Sequence, residues 1–247
     1  MHTIMSHMIP FFPDLDGSFA VARAMIDGGA RYLEVQFPYS DPTADGPAIQ
    51  GACARALSNG FRSEIGWRFV SDVVDYSDRR ADVYVMSYAG PVYALGVERF
   101  VETAARNGAR GIIVPDLPVD SDEGLFRAAA ENGVYAVPVI AFGASGERIR
   151  LVVEAAERYV YASLRRGITG THTEIGEENV AFIRELTATG LRVIAGFGID
   201  SAEQVATVTE HAHAAVIGSA FVHAIARAEQ SGNSPYDTVY TLTRSLV

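Results

Sequence analysis

Short apolar, β-branched runs alternate along the chain with longer segments at helical spacing, and glycine closes most of those segments. The apolar runs are residues 8–12, 32–36, 83–87, 111–114, 135–140, 159–163, 192–195 and 214–218. Between them lie 18–27, 48–76 (long enough for two helices), 96–107, 122–132, 146–158, 177–188, 201–211 and 219–230. Runs that are continuously apolar predict parallel strands buried on both faces, covered by the intervening helices. In 148–158 the helical logic is plain. Ile149, Val152, Val153 and Ala156 share one face, and Arg148, Arg150, Glu154 and Glu157 fall mostly elsewhere. Gly28-Gly29, Asn107-Gly108, Asn132-Gly133 and Thr189-Gly190 stand where a left-handed residue would end each helix. Ser18, Ser63, Asp122 and Ser201 are candidate N-caps. Beyond a breaking segment at 231–235, residues 236–246 predict a final amphipathic helix.

Eight such units in 247 residues predict a (β/α)8 barrel, an α/β fold with an eight-stranded parallel barrel inside outer helices. No Pro/Ser-rich linker or low-complexity stretch divides the chain, so residues 1–247 read as one domain. A doubly wound open sheet is the alternative, weakened by the absence of a dinucleotide fingerprint.

Composition narrows the chemistry. With 49% apolar and 20% charged residues, the chain can bury a large core. It has neither a membrane-length apolar run nor a secretory signal pattern, and Cys53 is its single cysteine; a cytoplasmic protein is the expectation. The net charge of −10 argues against nucleic acid or an anionic membrane held by a broad basic face. All 20 basic residues are arginine. Without lysine there is no side-chain Schiff base, no pyridoxal phosphate tether and no Walker A loop.

In a barrel of this kind chemistry sits in the loops after the strands. After the second run, Glu34 lies between Leu33 and Val35, and a proline- and glycine-stiffened loop then brings Asp41 and Asp45. A carboxylate inside an apolar strand is either paired or working; burial would raise its pKa toward neutrality, as a general acid/base needs. Gly196-Phe197-Gly198-Ile199 after the seventh run and Gly218-Ser219 after the eighth each open a helix. Two helix N-termini at those strand ends favour a phosphate site over ordinary tight turns. The glycine-rich segment 164–176, with Gly170, would make a lid and complete the phosphate nest. Tyr161 either aims its phenol into the pocket or belongs to the core. His211-x-His213 lacks a third ligand and reads as surface, Ser219 lacks a histidine–acid pair, and Trp67 and Cys53 read as packing residues.

These residues together resemble the tryptophan synthase alpha subunit family over nearly the whole barrel. The most specific part is Leu33-Glu34-Val35 followed by Pro38-Tyr39-Ser40-Asp41-Pro42-x-Ala44-Asp45-Gly46-Pro47-x-Ile49-Gln50. Val114-Pro115-Asp116-Leu117-Pro118, Gly167-Ile168-Thr169-Gly170, Gly196-Phe197-Gly198-Ile199 and Gly218-Ser219-Ala220 follow in family order. The resemblance implies a lyase that cleaves indole-3-glycerol phosphate to indole and glyceraldehyde 3-phosphate. It also implies no cofactor and no metal on this chain. The expected partner is a pyridoxal-phosphate beta subunit in an alpha2-beta2 heterotetramer. It implies Glu34 as catalytic acid/base, Asp45 as second catalytic carboxylate and Tyr161 as the active-site tyrosine. Gly170, Gly198, Gly218 and Ser219 would bind phosphate, and Phe11 would line the indole pocket. The chain departs from the family in five places. Seven residues precede Met8, where the family has a short helix before the first strand. Residues 12–16 replace a threonine- and glycine-bearing segment. Gln36 stands for glycine, Gly90 for asparagine, and Phe142-Gly143 for a proline-rich turn. They bear on the partner interface and the mouth of the pocket more than on the reaction class. A stand-alone lyase releasing free indole, a weakly active regulatory partner of a beta subunit, and another phosphate-binding barrel are the alternatives.

Overall fold

The computed structural model of the chain describes residues 2–164, 175–196 and 198–247. Its elements run β1 (Ile4–Met8), α1 (Leu15–Gly28), β2 (Tyr32–Gln36), α2 (Pro47–Ser58), α3 (Ser63–Ser77), β3 (Asp82–Met86), α4 (Ala89–Leu95), α5 (Val97–Arg106) and β4 (Gly111–Ile113). A 3-10 turn (Val119–Ser121) leads to α6 (Leu125–Glu131), β5 (Tyr135–Val137), β6 (Val139–Ala141), α7 (Gly146–Ala155) and β7 (Tyr159–Ser163). Then come α8 (Glu177–Thr187), β8 (Arg192–Gly196), α9 (Ala202–Thr209), β9 (Ala214–Ile217), α10 (Ser219–Gln230) and α11 (Pro235–Leu246).

Every ladder is parallel, in the order β5-β4-β3-β2-β1-β9-β8-β7-β6. The strands β5 and β6 are one stave cut at Pro138. The proline has no N–H for the ladder, although its carbonyl still accepts from the Tyr161 N–H at 2.9 Å. Counted once, that stave makes eight, and the barrel closes as the alternating pattern predicts.

Side chains of alternate strand residues divide between two cores. One packs the strands against the helices, with Leu33, Val35, Val83 and Val85 among its buried members. The other fills the barrel, with Met5, Tyr32, Tyr84, Met86, Ile113, Tyr159, Tyr161, Ile194 and Val216. Toward the strands' N-terminal ends the Tyr32, Tyr84, Tyr135 and Tyr159 rings interlock edge to face at 5.2–6.5 Å. His213 donates to or accepts from the Tyr32 hydroxyl at 2.7 Å. That aromatic plug leaves the open cavity at the strands' C-terminal ends.

Several boundaries differ from the sequence reading. The first strand is Ile4–Met8, not 8–12. Pro10 cannot donate to a ladder, the Phe12 N–H turns back to the Ile9 carbonyl at 3.2 Å, and Phe11 sits at φ 67°. The true strand escaped notice because Ser6 and His7 are polar, although all five residues are buried. The first helix begins at Leu15, capped by Asp14; Ser18 lies inside it, and its hydroxyl accepts the Phe11 N–H at 3.1 Å. Ser63 is likewise the first helical residue rather than the cap. The short helix α4 was not expected; it ends at Gly96, whose φ is 92°. Gly29, Gly108, Gly133 and Gly190 all take the positive φ their positions call for. Among the described residues no helix is long and apolar enough to cross a membrane.

Candidate active site

Three strand residues and one loop residue build the polar wall of the cavity at the strands' C-terminal ends. In β1 the inward positions are Met5 and His7, and in β2 they are Tyr32, Glu34 and Gln36, because side chains alternate. The register sets His7 beside Glu34. Asp45 arrives from the loop after β2, where its N–H donates to the Pro42 carbonyl at 3.0 Å and its own carbonyl accepts from Gln50 Nε2 at 2.7 Å. Ile49, Met86, Ile113, Val139 and Val216 supply the apolar walls, and Gly198, Gly218 and Ser219 complete the rim.

Glu34 is buried, and among the described residues nothing donates to its carboxyl or pairs with it. Burial, reinforced by the charge of Asp45, pushes it up to about 8. Among the described residues no internal ion pair, the alternative for such a carboxylate, forms. Asp45 is placed differently. Burial raises its pKa, but the interaction with His7 and two donors oppose that rise. The Tyr88 hydroxyl donates to Asp45 Oδ2 at 2.8 Å and Gln36 Nε2 to the same oxygen at 2.7 Å. The Gln36 Oε1 therefore faces His7, whose Nε2–H donates to it at 2.6 Å. His7 is kept neutral by its burial. Sequence reasoning assigned no role to His7 or Tyr88, and none to Gln36 beyond its departure from the family. The signal available was the polar residue within each apolar strand end.

Tyr161 also lines the cavity, on β7, and burial keeps its phenol protonated. Its hydroxyl lies so close to β8 that a Cβ on Gly196 would stand 3.1 Å from it. Phe11 does not line the cavity. Because β1 begins at Ile4, Phe11 falls past the strand and packs edge to face on Phe61 at 5.7 Å. Gly170 lies outside the described residues. Gly218 and Ser219 open α10 into the cavity. The other expected N-terminus, that of α9, is capped by Ser201, whose hydroxyl accepts the Gln204 N–H at 3.3 Å. Gly90 makes room for Tyr39, whose hydroxyl a Cβ would meet at 2.7 Å, and Phe142 packs on Phe182 at 5.7 Å. Among the described residues no three His, Cys, Asp or Glu groups converge as metal ligands. Trp67 packs between Phe37 and Phe100, and Cys53 is buried in the outer core.

Chemically, the cavity offers a buried carboxyl with no partner among the described residues, a second carboxyl held by one oxygen, and the α10 N-terminus on the same rim. That set can protonate a carbon, hold a developing cation and seat a phosphate.

The chain was compared with known proteins. A family model described as the tryptophan synthase alpha chain matches residues 2–246. The tryptophan synthase alpha chain of Helicobacter hepaticus is 35% identical over 245 residues, covering 97% of this chain and 92% of that one. A Mycobacterium tuberculosis tryptophan synthase structure aligns with a TM-score of 0.87 at 29% identity, covering 99% of this chain and 91% of that one. A Pyrococcus furiosus tryptophan synthase complex aligns at 0.86 and 26% identity, with 99% and 97% covered.

Proposed function

The chain belongs to the tryptophan synthase alpha chain family and is a lyase of tryptophan biosynthesis, and from that premise we propose that its cavity cleaves indole-3-glycerol phosphate by general acid/base catalysis. The observation that carries the proposal is the contrast between Glu34 and Asp45. One carboxyl is pushed up to about 8 with no donor among the described residues, and the other receives Tyr88 and Gln36 on a single oxygen. Two carboxyls in one pocket with environments this different can serve as acid and as anion at the same pH.

The steps balance as follows. Glu34 gives its proton to the indole C3 carbon. The free oxygen of Asp45 accepts the ring N–H and stabilises the charge that spreads over the ring. The Glu34 carboxylate then removes the proton from the side-chain hydroxyl next to C3. The C–C bond breaks, its electron pair restores the aromatic ring, and the hydroxyl carbon becomes the aldehyde of glyceraldehyde 3-phosphate. Tyr161 stands beside the pair as a protonated phenol. Gly198, Gly218, Ser219 and the α10 N-terminus would hold the phosphate, whose binding energy presses the ring toward Glu34. No step calls for a cofactor or a metal. The chain would work as one domain in the cytoplasm. The partner we propose is a beta subunit that carries the pyridoxal phosphate and consumes the indole; the Pyrococcus furiosus neighbour is by its name a tryptophan synthase complex.

The test is indole release from indole-3-glycerol phosphate by the purified chain, with and without a tryptophan synthase beta subunit. Slow release that the beta subunit accelerates supports the whole reading. Fast release by the chain alone supports the lyase but not the partner. No release in either condition overturns it.

A further inference from the structure

The Gln36 amide is held at every polar atom. Its nitrogen donates to Asp45 Oδ2 at 2.7 Å and to Cys53 Sγ at 3.5 Å, and its oxygen accepts from His7 Nε2 at 2.6 Å. Gln36, His7 and Cys53 are all buried. Among the described residues His7 is the one donor to Gln36 Oε1. The imidazole has no competing bond: its Nδ1 is closed to solvent and has no partner among the described residues. An ionised Asp45 draws the amide nitrogen to its own side. Only the amide oxygen is then left for His7, which places the ring proton on Nε2.

The consequence reaches Asp45. Without the His7 donor, Gln36 Oε1 is a buried acceptor left unsatisfied, and rotation of the amide relieves that cost. Rotation also carries Nε2 away from Asp45 Oδ2. The Tyr88 hydroxyl would then be the one donor left on that oxygen. A single bond fixes a distance, whereas two bonds from different directions fix which way the carboxylate faces. His7 also lines the cavity near Gly218, where a Cβ would stand 3.7 Å from it. Direct contact with the substrate is therefore the competing role, and it would show in binding rather than in turnover.

Resting on the reading under Proposed function, we infer that His7 is a positioning residue for that reaction: by locking the Gln36 amide it keeps Asp45 Oδ1 turned toward the ring N–H of indole-3-glycerol phosphate. His7 acts through Gln36 and touches neither the reacting carbon nor the ring nitrogen. His7 and Gln36 thus form one unit, and losing either member undoes the same orientation.

The experiment is steady-state cleavage of indole-3-glycerol phosphate by the full chain, with and without a tryptophan synthase beta subunit. It compares the unaltered protein with His7→Phe, His7→Gln, Gln36→Leu and the double variant His7→Phe/Gln36→Leu. His7→Phe should lower kcat by about tenfold, the scale of one hydrogen bond to a charged group, and leave KM within about twofold. His7→Gln, whose amide nitrogen can take the place of Nε2, should recover most of the loss. The double variant should be no slower than Gln36→Leu alone, whereas independent roles would multiply to about a hundredfold. An unchanged kcat in His7→Phe, a rise in KM with kcat kept, or a multiplied loss in the double variant overturns the inference and leaves the proposed reaction standing. A second readout is independent of turnover. In nitrogen NMR of the histidine rings, with the His7 signal identified by its loss in His7→Gln, the neutral ring should carry its proton on Nε2. A proton on Nδ1 overturns the inference. No cleavage by the unaltered chain in either condition overturns the proposed reaction, and the inference with it.

Discussion

Gln36 Nε2 lies 2.7 Å from Asp45 Oδ2, and that bond decides which oxygen of Asp45 meets a substrate. With Tyr88 on the same oxygen, Oδ1 is the one left to accept a ring N–H. The amide cannot turn away without also losing His7. Gln36→Leu should therefore lower kcat by about tenfold, the scale of one hydrogen bond to a charged group, with little change in KM. Asp45→Asn should cost about a hundredfold or more, because it cannot neutralise the ring cation. Steady-state kinetics on the purified variants checks both; a Gln36→Leu enzyme with unchanged kcat removes the orienting role.

Tyr88→Phe tests the same anchor through pH. The Tyr88 hydroxyl donates to the charged form of Asp45 and so holds its pKa down against burial. Removing the donor lets burial act with less opposition, and the Asp45 pKa rises. If Asp45 must be ionised, the acid limb of the kcat profile should move to higher pH in Tyr88→Phe. A limb that stays in place, or moves down, contradicts the assignment.

The barrel was legible because continuous apolar runs and C-terminal glycines repeat at regular intervals, and helix α10 was read to the residue. The first strand was not, because two of its inward or flanking residues, Ser6 and His7, broke the apolar run while Phe11-Phe12 beyond Pro10 imitated one. That shift hid His7, while Phe11 was expected in the pocket from the family resemblance alone. Glu34 and Asp45 stood out as carboxylates in an apolar strand and a stiff loop. Tyr88 did not, because a hydroxyl that reaches back 43 positions to a loop leaves no local pattern.

Gly218 separates a phosphate site from an ordinary turn. Its φ is −116°, which any residue can adopt, and among the described residues the nearest atoms a Cβ there would meet are Ile49 Cδ1 at 3.5 Å and His7 at 3.7 Å. Gly218→Ala should fold with a melting temperature near that of the parent. The new methyl would nevertheless stand where a phosphate approaches the α10 amides. KM for indole-3-glycerol phosphate should rise about tenfold or more, the effect of a small misplacement at a positioning group. Glycerol phosphate should lose its ability to inhibit in step. Unchanged KM with an intact fold would place the phosphate elsewhere.

Glu34→Gln separates the catalytic from the structural consequences of one buried carboxyl. The glutamine is nearly isosteric but has no proton to give, so kcat should fall by about 10²–10⁴-fold. In the unaltered enzyme the working form of Glu34 is the acid, so activity should decline as pH rises through about 8. Stability should change in the same window. The unfolded carboxyl, at 4.5, is already ionised, while the folded one keeps its proton up to about 8. The folded state thus binds more protons, and raising the pH draws the equilibrium toward the unfolded chain. His7, whose folded pKa burial lowers, adds a small opposite slope around pH 6.5 as the unfolded imidazole loses its proton, and that term is common to the two proteins. Between pH 6.5 and 8 the slope of stability against pH should be more negative in the unaltered protein than in Glu34→Gln, by up to ~1.4 kcal/mol per pH unit. Urea unfolding at several pH values reads the slope directly. Parallel slopes in the two proteins would mean that Glu34 is ionised in the folded state near neutrality and cannot be the acid.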